Sequence, residues 1–410
     1  MLAAMPPTPP TTPNRGEALI RDRGDACPGA LRLHPADDGG LARLRLPAGL
    51  LTAHQVESLA SAAESLGDGR VAVTSRGNVE LRGLDGGCGA ELADRLTEAG
   101  LLPSSTHERV RNIVASPTAG LDGLGHADVQ LWARELDALL CAAPWTAALS
   151  GRFLFALDDG RGDVARLGGD VTLIAGGRSV RLRVGDRVFR VATADAPRAA
   201  LAAAGAFLEA ARDAGNGAWR VRELPQGQQP DLAAALARAG VDAHPVVPAP
   251  PLPHAAPPRP GPLGGNALHV LAPLGRLTAA QLRALLPADE VRLTPWRGAV
   301  VVGASRTRLP ALDAAGLITR PDDPWVGVGA CTGRPGCAKS LADVRADAVP
   351  GAPGLPVHFS GCERRCGHPQ GAPGTWVDVL ATAEGTYLVD GRPTPRTSLT
   401  EAVATARTTR

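Results

Sequence analysis

Leu41-Ala-Arg-Leu-Arg-Leu46, Thr52-Ala-His-Gln55, Val71-Ala-Val-Thr-Ser-Arg-Gly-Asn-Val79 and Ala99-Gly-Leu101 follow one another early in the chain. The same order returns as Ala267-Leu-His-Val-Leu-Ala272, Thr278-Ala-Ala-Gln281, Val291-Arg-Leu-Thr-Pro-Trp-Arg-Gly-Ala299 and Ala315-Gly-Leu317. Leucines alternating with polar residues predict a strand. A threonine three residues before a glutamine predicts a helix opened by a capping box. The Val71 and Val291 stretches read as short strand pairs around a turn, and Gly100 and Gly316 suit left-handed helix ends. Each copy is therefore a βαββα unit, and the chain is of the α+β class. The offset between copies drifts from 226 (Thr52 to Thr278) through 221 (Arg76 to Arg297) to 216 (Gly100 to Gly316), as small loop deletions would produce. Carried further, the last offset sets Ala115 opposite Cys331, so the second copy has a cysteine where the first has none.

Between the copies, residues 243–264 are crowded with proline and read as a semi-rigid spacer. Residues 1–24, rich in proline and threonine, read as a disordered tail without the basic-then-apolar pattern of a signal peptide. At 410 residues the chain exceeds one core, and 44% hydrophobic residues suffice to fill several. A net charge of +2 gives no case for nucleic acid or an anionic membrane, and no apolar run is long enough to span a bilayer. Seven cysteines without an export signal argue against a disulfide framework and for the cytoplasm.

Four of those cysteines form a pattern: Cys331-Thr-Gly-Arg-Pro-Gly-Cys337 and Cys362-Glu-Arg-Arg-Cys366. Four thiolates make a soft cage suited to zinc or an iron–sulfur cluster, although the C-x5-C spacing is wide for a zinc knuckle. Surrounding glycines let backbone amides face cluster sulfurs. Cys27, Cys88 and Cys141 lack such partners and read as small buried hydrophobes. Of the 43 basic residues only Lys339 is a lysine, so planar forks for carboxylates are everywhere.

C-x5-C followed by Ser360-Gly-Cys-Glu-Arg-Arg-Cys-Gly367, after two βαββα units, resembles the nitrite/sulfite reductase superfamily. That resemblance implies duplicated ferredoxin-like halves about a pseudo-twofold axis, with a tetrapyrrole between them against a [4Fe–4S] cluster on Cys331, Cys337, Cys362 and Cys366. It divides the chain into ferredoxin-like halves at 25–105 and 265–322, a tetrapyrrole-binding α/β half at 106–242 and a cluster-binding α/β half at 323–410. Within the superfamily, five stretches are most similar to the precorrin-3B synthases: Cys27 to His34, Thr74 to Gly83, Arg111 to Gly120, Pro273 to Thr278 and His358 to Pro369. In that branch the tetrapyrrole is substrate. The resemblance implies O2-dependent hydroxylation and γ-lactone formation on precorrin-3A, with an external electron donor and a further non-haem iron.

Arg76, Asn78, Arg82, Arg109, Arg111, Asn112 and Arg152 are then the expected tetrapyrrole-binding residues, since forks and amides suit its carboxylate arms. His358 and His368, flanking the C-x3-C pair, are candidate iron ligands or acid/base groups. Arg364 and Arg365 are expected to offset cluster charge, and Arg297 is the repeat counterpart of Arg76. Sulfite reductases carry a lysine pair that protonates the bound anion; here the matching residues are Arg152 and Leu154, and the leucine cannot donate a proton. The alternatives are a sirohaem-dependent sulfite or nitrite reductase and a zinc-stabilised binding protein without redox chemistry.

Overall fold

The computed structural model describes residues 28–352, 354–369, 374–383 and 385–408. The tail expected at 1–24 and Cys27 lie outside the described residues. The two βαββα units form two five-stranded antiparallel sheets. In the first the strand order is His34–Ala36, Gly39–Leu44, Val79–Leu84, Arg70–Val73 and then Arg276–Thr278. In the second it is Gly261–Leu263, Ala267–Leu271, Gly298–Val302, Glu290–Leu293 and then Leu50–Leu51. Each copy thus lends the short strand before its capping box to the other copy's sheet. Leu277 pairs with Val71, and Leu51 pairs with Val291.

Both capping boxes form. Thr52 Oγ1 accepts from the Gln55 amide at 3.2 Å, and Gln55 Oε1 accepts from the Thr52 amide at 3.0 Å. The Thr278–Gln281 pair repeats this at 3.1 and 2.9 Å. Each glutamine also reaches the end of its copy's second helix: Gln55 Nε2 donates to the Ala99 carbonyl and Gln281 Nε2 to that of Ala315. Gly100 and Gly316 take the left-handed conformation there, at φ 69° and 81°. Leu59, Ala63 and Leu96 share one core with Leu268, Leu282 and Val301. The ferredoxin-like halves are consequently joined by a common core as well as by exchanged strands.

A six-stranded sheet follows each logic of the first half: Ala243–Pro245, Arg187–Ala192, Ser179–Val184, Val171–Gly176, Phe155–Asp158 and Ile113–Ala115. Its last three strands run parallel to one another and the others antiparallel. Helices Val129–Ala142 and Ala196–Ala214 cover it through Leu136, Leu140, Ala203 and Phe207. The second half repeats the arrangement with Val328–Ala330, Val357–Ser360, Val377–Ala381, Tyr387–Val389 and Arg392–Thr394. Again the first three are parallel.

The proline-rich stretch is shorter and less independent than its composition suggests. Its ends, Ala243–Pro245 and Gly261–Leu263, are strands in the sheets on either side. Its middle is strapped to the first half: the Ala255 amide donates to the Gly162 carbonyl at 2.9 Å, and Arg166 and Arg183 donate to the Leu252 and Pro250 carbonyls. Among the described residues no helix is long and apolar enough to cross a membrane.

Candidate functional site

Cys331 and Cys362 lie just past the C-terminal ends of two adjacent parallel strands, where crossover loops leave open space. The Cys331 amide continues the ladder to the Phe359 carbonyl at 2.9 Å, and the Gly361 amide donates to Cys331 Sγ at 3.2 Å. Desolvation, and then the sulfurs of Cys362, Cys331 and Cys337, push up the Cys366 thiol, so all four thiols share one neighbourhood. Four soft thiols, with an amide aimed at one sulfur, fit the ligand set of an iron–sulfur cluster. Cys88 and Cys141 are half-buried elsewhere, and burial raises both thiols.

The first half contains an oxygen version of this corner. The Ser116 amide donates to the Leu157 carbonyl at 3.0 Å and the Asp159 amide donates to Ser116 Oγ at 3.1 Å, matching Cys331 and Gly361 bond for bond. Ser116, and not Ala115, is therefore the counterpart of Cys331; strand register fixes the offset one residue away from the sequence alignment. Asp158, Asp159 and Asp163 gather beside it. Asp158 accepts four amides, from Gly160, Gly162, Val164 and Ala165, and Asp159 holds Arg161. These carboxylates organise their own loop.

His358 and His368 have structural partners. His358 is fully buried, its Nε2 is 3.0 Å from the Cys366 carbonyl, and burial with nearby Arg297 pushes its pKa down to about 3. It is neutral and pins the last cysteine's backbone. His368 Nδ1 lies 2.7 Å from the Pro369 carbonyl, with its ring stacked on Trp376 at 5.3 Å.

Four of the expected tetrapyrrole-binding residues are committed inside the protein. Arg111 grips Asp137 with Nε at 2.6 Å and Nη2 at 2.7 Å, and donates Nη1 to the Leu101 carbonyl. Arg82 grips Asp38 at 2.9 Å and donates to the Gly336 carbonyl at 2.6 Å, clamping the C-x5-C loop to the first half. Asn78 Nδ2 donates to Asn112 Oδ1 at 3.0 Å, while Asn78 accepts from the Leu46 amide and Asn112 donates to the Phe153 carbonyl. All four are buried, with their forks and amides hydrogen-bonded to neighbouring protein groups. Arg76 and Arg152 stay nearer the surface together, with Arg76 Nη1 3.4 Å from the Arg152 carbonyl and the Arg152 guanidinium 4.7 Å over Trp219. Arg109 is half-buried, and its carbonyl accepts from Arg45 Nε at 3.3 Å.

Sequence reading missed Arg45 and Arg292, each of which donates to backbone carbonyls distant in sequence. Arg45 donates to Gly151, and Arg292 to Pro117 and Ala119. Burial would raise Glu80, but Arg43, Arg82 and Arg45 hold it below the usual carboxylate value. Arg365 is tied to Asp378 at 2.7 Å and Glu363 at 3.0 Å, so its charge is already offset by carboxylates.

Arg297 is placed differently from its sequence alignment. In the first turn the Thr74 amide donates to the Asn78 carbonyl and the Gly77 amide to that of Thr74; in the second, Thr294 and Gly298, Arg297 and Thr294 make the same bonds. Arg297 therefore stands where the first copy has Gly77, and Trp296 where it has Arg76. Like Gly77 it is left-handed, with φ 62°.

The sequence of residues 34–99 matches the nitrite/sulfite reductase ferredoxin-like half domain. The first copy is such a half domain. Over longer spans the chain is 29% identical to the ferredoxin–nitrite reductase of Synechococcus elongatus, across 80% of this chain and 74% of that protein. It is also 29% identical to a precorrin-3B synthase from Sinorhizobium, across 88% of this chain and 82% of that protein. The solved structure of the Mycobacterium tuberculosis NirA protein superposes with a TM-score of 0.64 at 19% identity, covering 84% of this chain and 71% of that one. The α+β architecture with ferredoxin-like sheets is thus that of the nitrite/sulfite reductase half domains, and the homologues are redox enzymes.

Proposed function

We propose that the chain is a precorrin-3B synthase, adding one atom of O2 to precorrin-3A and forming its γ-lactone while the other atom leaves as water. An external donor supplies the two electrons. The observation that carries this reading is Leu154. It is fully buried against Val114, Ala156 and Val164, with Leu167 and Trp296 beside it, where a sulfite reductase would hold a lysine. A buried leucine at that place offers no proton to a small bound anion, the step that a sulfite reductase needs there.

Cys331, Cys337, Cys362 and Cys366 would hold a [4Fe–4S] cluster, which supplies single electrons when bound. Gly361 directs its amide to Cys331 Sγ, and His358 fixes the Cys366 carbonyl. Arg76, Arg152 and Arg109 are the expected contacts for acetate and propionate arms, and binding those remote carboxylates orients the ring for reaction. Arg82 and Asp38 keep the C-x5-C loop against the first half, so the macrocycle's two walls stay in register.

The test is anaerobic purification with iron, sulfide and tetrapyrrole analysis, followed by turnover of precorrin-3A with O2 and a reductant. Iron and sulfide in equal amounts, no bound sirohaem and a product one oxygen heavier support the proposal. Stoichiometric sirohaem with nitrite or sulfite reduction would make the tetrapyrrole a cofactor and the chain a reductase. Zinc without sulfide would leave a binding protein.

A further inference from the structure

We infer that Arg297, with Arg345 behind it, is a built-in counter-charge that raises the reduction potential of the cluster. The inference rests on the reading that the four cysteines carry one.

The backbone at Arg297 is the first observation. A left-handed arginine is strained relative to a right-handed one, and the first copy avoids that strain with Gly77 at the same place. Strain retained at one member of a duplicated pair points to a role for its side chain.

The second is the room made for that side chain. A Cβ on Gly275 would fall 2.5 Å from Arg297 Cδ, one on Gly329 2.8 Å from Nη1, and one on Gly367 2.5 Å from Nη2. Three glycines from three separate segments clear a path from the turn into the cysteine corner. In the first copy the corresponding space is closed by backbone, since a Cβ on Gly77 would lie 2.8 Å from the Leu293 carbonyl oxygen.

The third is where the charge ends and what meets it. Arg297 Nη2 donates to the carbonyl of Gly367, the residue after Cys366. Arg345 Nη1 donates to the Leu274 carbonyl at 3.2 Å, and its Nη2 reaches 3.5 Å from that of Ala330, the residue before Cys331. Among the described residues neither makes an ion pair with a carboxylate, in contrast to Arg365 and Arg82. Two guanidiniums, each on a carbonyl, therefore stand against the two ends of the cysteine set.

A thiolate-ligated cluster is anionic and gains one more negative charge on reduction. A fixed cation in a site of low dielectric favours the reduced form more than the oxidised one. Arg297 is thus a positioning residue for electron loading, and it acts through charge.

The experiment is a redox titration of the full chain, reconstituted anaerobically and followed by electron paramagnetic resonance, with iron and sulfide measured first. Arg297→Gly removes the charge and relieves the left-handed strain together, so the fold should survive it. That variant is expected to keep its iron and sulfide and to lower the one-electron reduction constant at least about tenfold, a fall of 59 mV. Arg297→Lys, which keeps a charge, should stay closer to the parent. An unchanged potential in cluster-loaded Arg297→Gly overturns the inference. Should that variant fail to load, Arg345→Gln reads the same field, and an unchanged potential there overturns it equally. A parent chain that takes up no iron and sulfide refutes the cluster reading itself, a separate outcome visible before any titration.

Discussion

Arg111 and Asp137 form a fork-to-fork pair, with Nε and Nη2 on the two carboxylate oxygens at 2.6 and 2.7 Å. The arginine is 5% exposed. It ties the loop before Ile113–Ala115 to helix Val129–Ala142, and so acts on the fold of the first half. Removing one member of a buried pair leaves the other charge without its partner. Arg111→Ala should lower unfolding stability by about 3 kcal/mol, seen as a lower urea midpoint. Tetrapyrrole affinity of the remaining folded protein should be unchanged. Lost affinity at unchanged stability would return Arg111 to the binding face.

The two capping boxes are equivalent in geometry, which makes the duplication testable by energetics. Thr52→Ala and Thr278→Ala should each cost about 1 kcal/mol, with unfolding midpoints falling by similar amounts. Helix Ala53–Leu66 packs on helix Ala279–Ala284 across the axis, so the double variant should depart from simple addition. A loss confined to one threonine would mean that the copies no longer bear load alike.

The duplicated βαββα order, the caps and the left-handed glycines were readable because each is a local pattern governed by backbone hydrogen bonding. The exchange of strands was not. Leu50–Leu51 and Arg276–Thr278 look like ends of their own units, and their pairing partners lie more than 200 residues away. The cysteine corner was legible from spacing and softness of ligands. The internal partners of the buried arginines were not legible. A fork that suits a substrate carboxylate suits Asp137 or Asp38 equally, and sequence does not say which carboxylate is nearer. Arg297 shows the opposite error. Aligned by residue type it matched Arg76, whereas the hydrogen bonds of its turn match it to Gly77.

Arg76 and Arg152 remain the best placed of the expected substrate contacts. They adjoin each other through the Arg152 carbonyl, and Arg152 is exposed over Trp219. A charge-assisted hydrogen bond to a carboxylate arm is worth about 1.5–3 kcal/mol. Arg76→Ala should therefore weaken tetrapyrrole binding about tenfold or more while moving stability by under about 0.5 kcal/mol. Quenching of tryptophan emission on titrating the tetrapyrrole provides the readout, with Trp219 beside the site. Arg152→Ala should act in the same direction. Unaltered affinity in both would move the binding face elsewhere.

Asp163 sets a pH dependence with a definite sign. Burial, reinforced by Asp158 and Asp159, pushes its pKa up to about 7 against the hydrogen bond from Ser116, and among the described residues its Oδ2 has no hydrogen-bond partner. In the unfolded chain the same carboxyl titrates near the ordinary value of about 3.9. Between these two values the folded protein holds a proton that the unfolded chain has released, so stability falls as pH rises through that window. Above about 7 the carboxylate is ionised in both states and the penalty is complete. Asp163→Asn keeps the shape, removes the charge and can offer Nδ2 to a neighbouring carboxylate. The variant should unfold at higher urea than the parent at pH 8, by roughly 2–4 kcal/mol, and match it near pH 4. The parent should lose stability from pH 4 to pH 7 where the variant does so less. Parallel pH profiles for the two proteins would mean that the Asp163 carboxyl titrates alike in the folded and the unfolded chain.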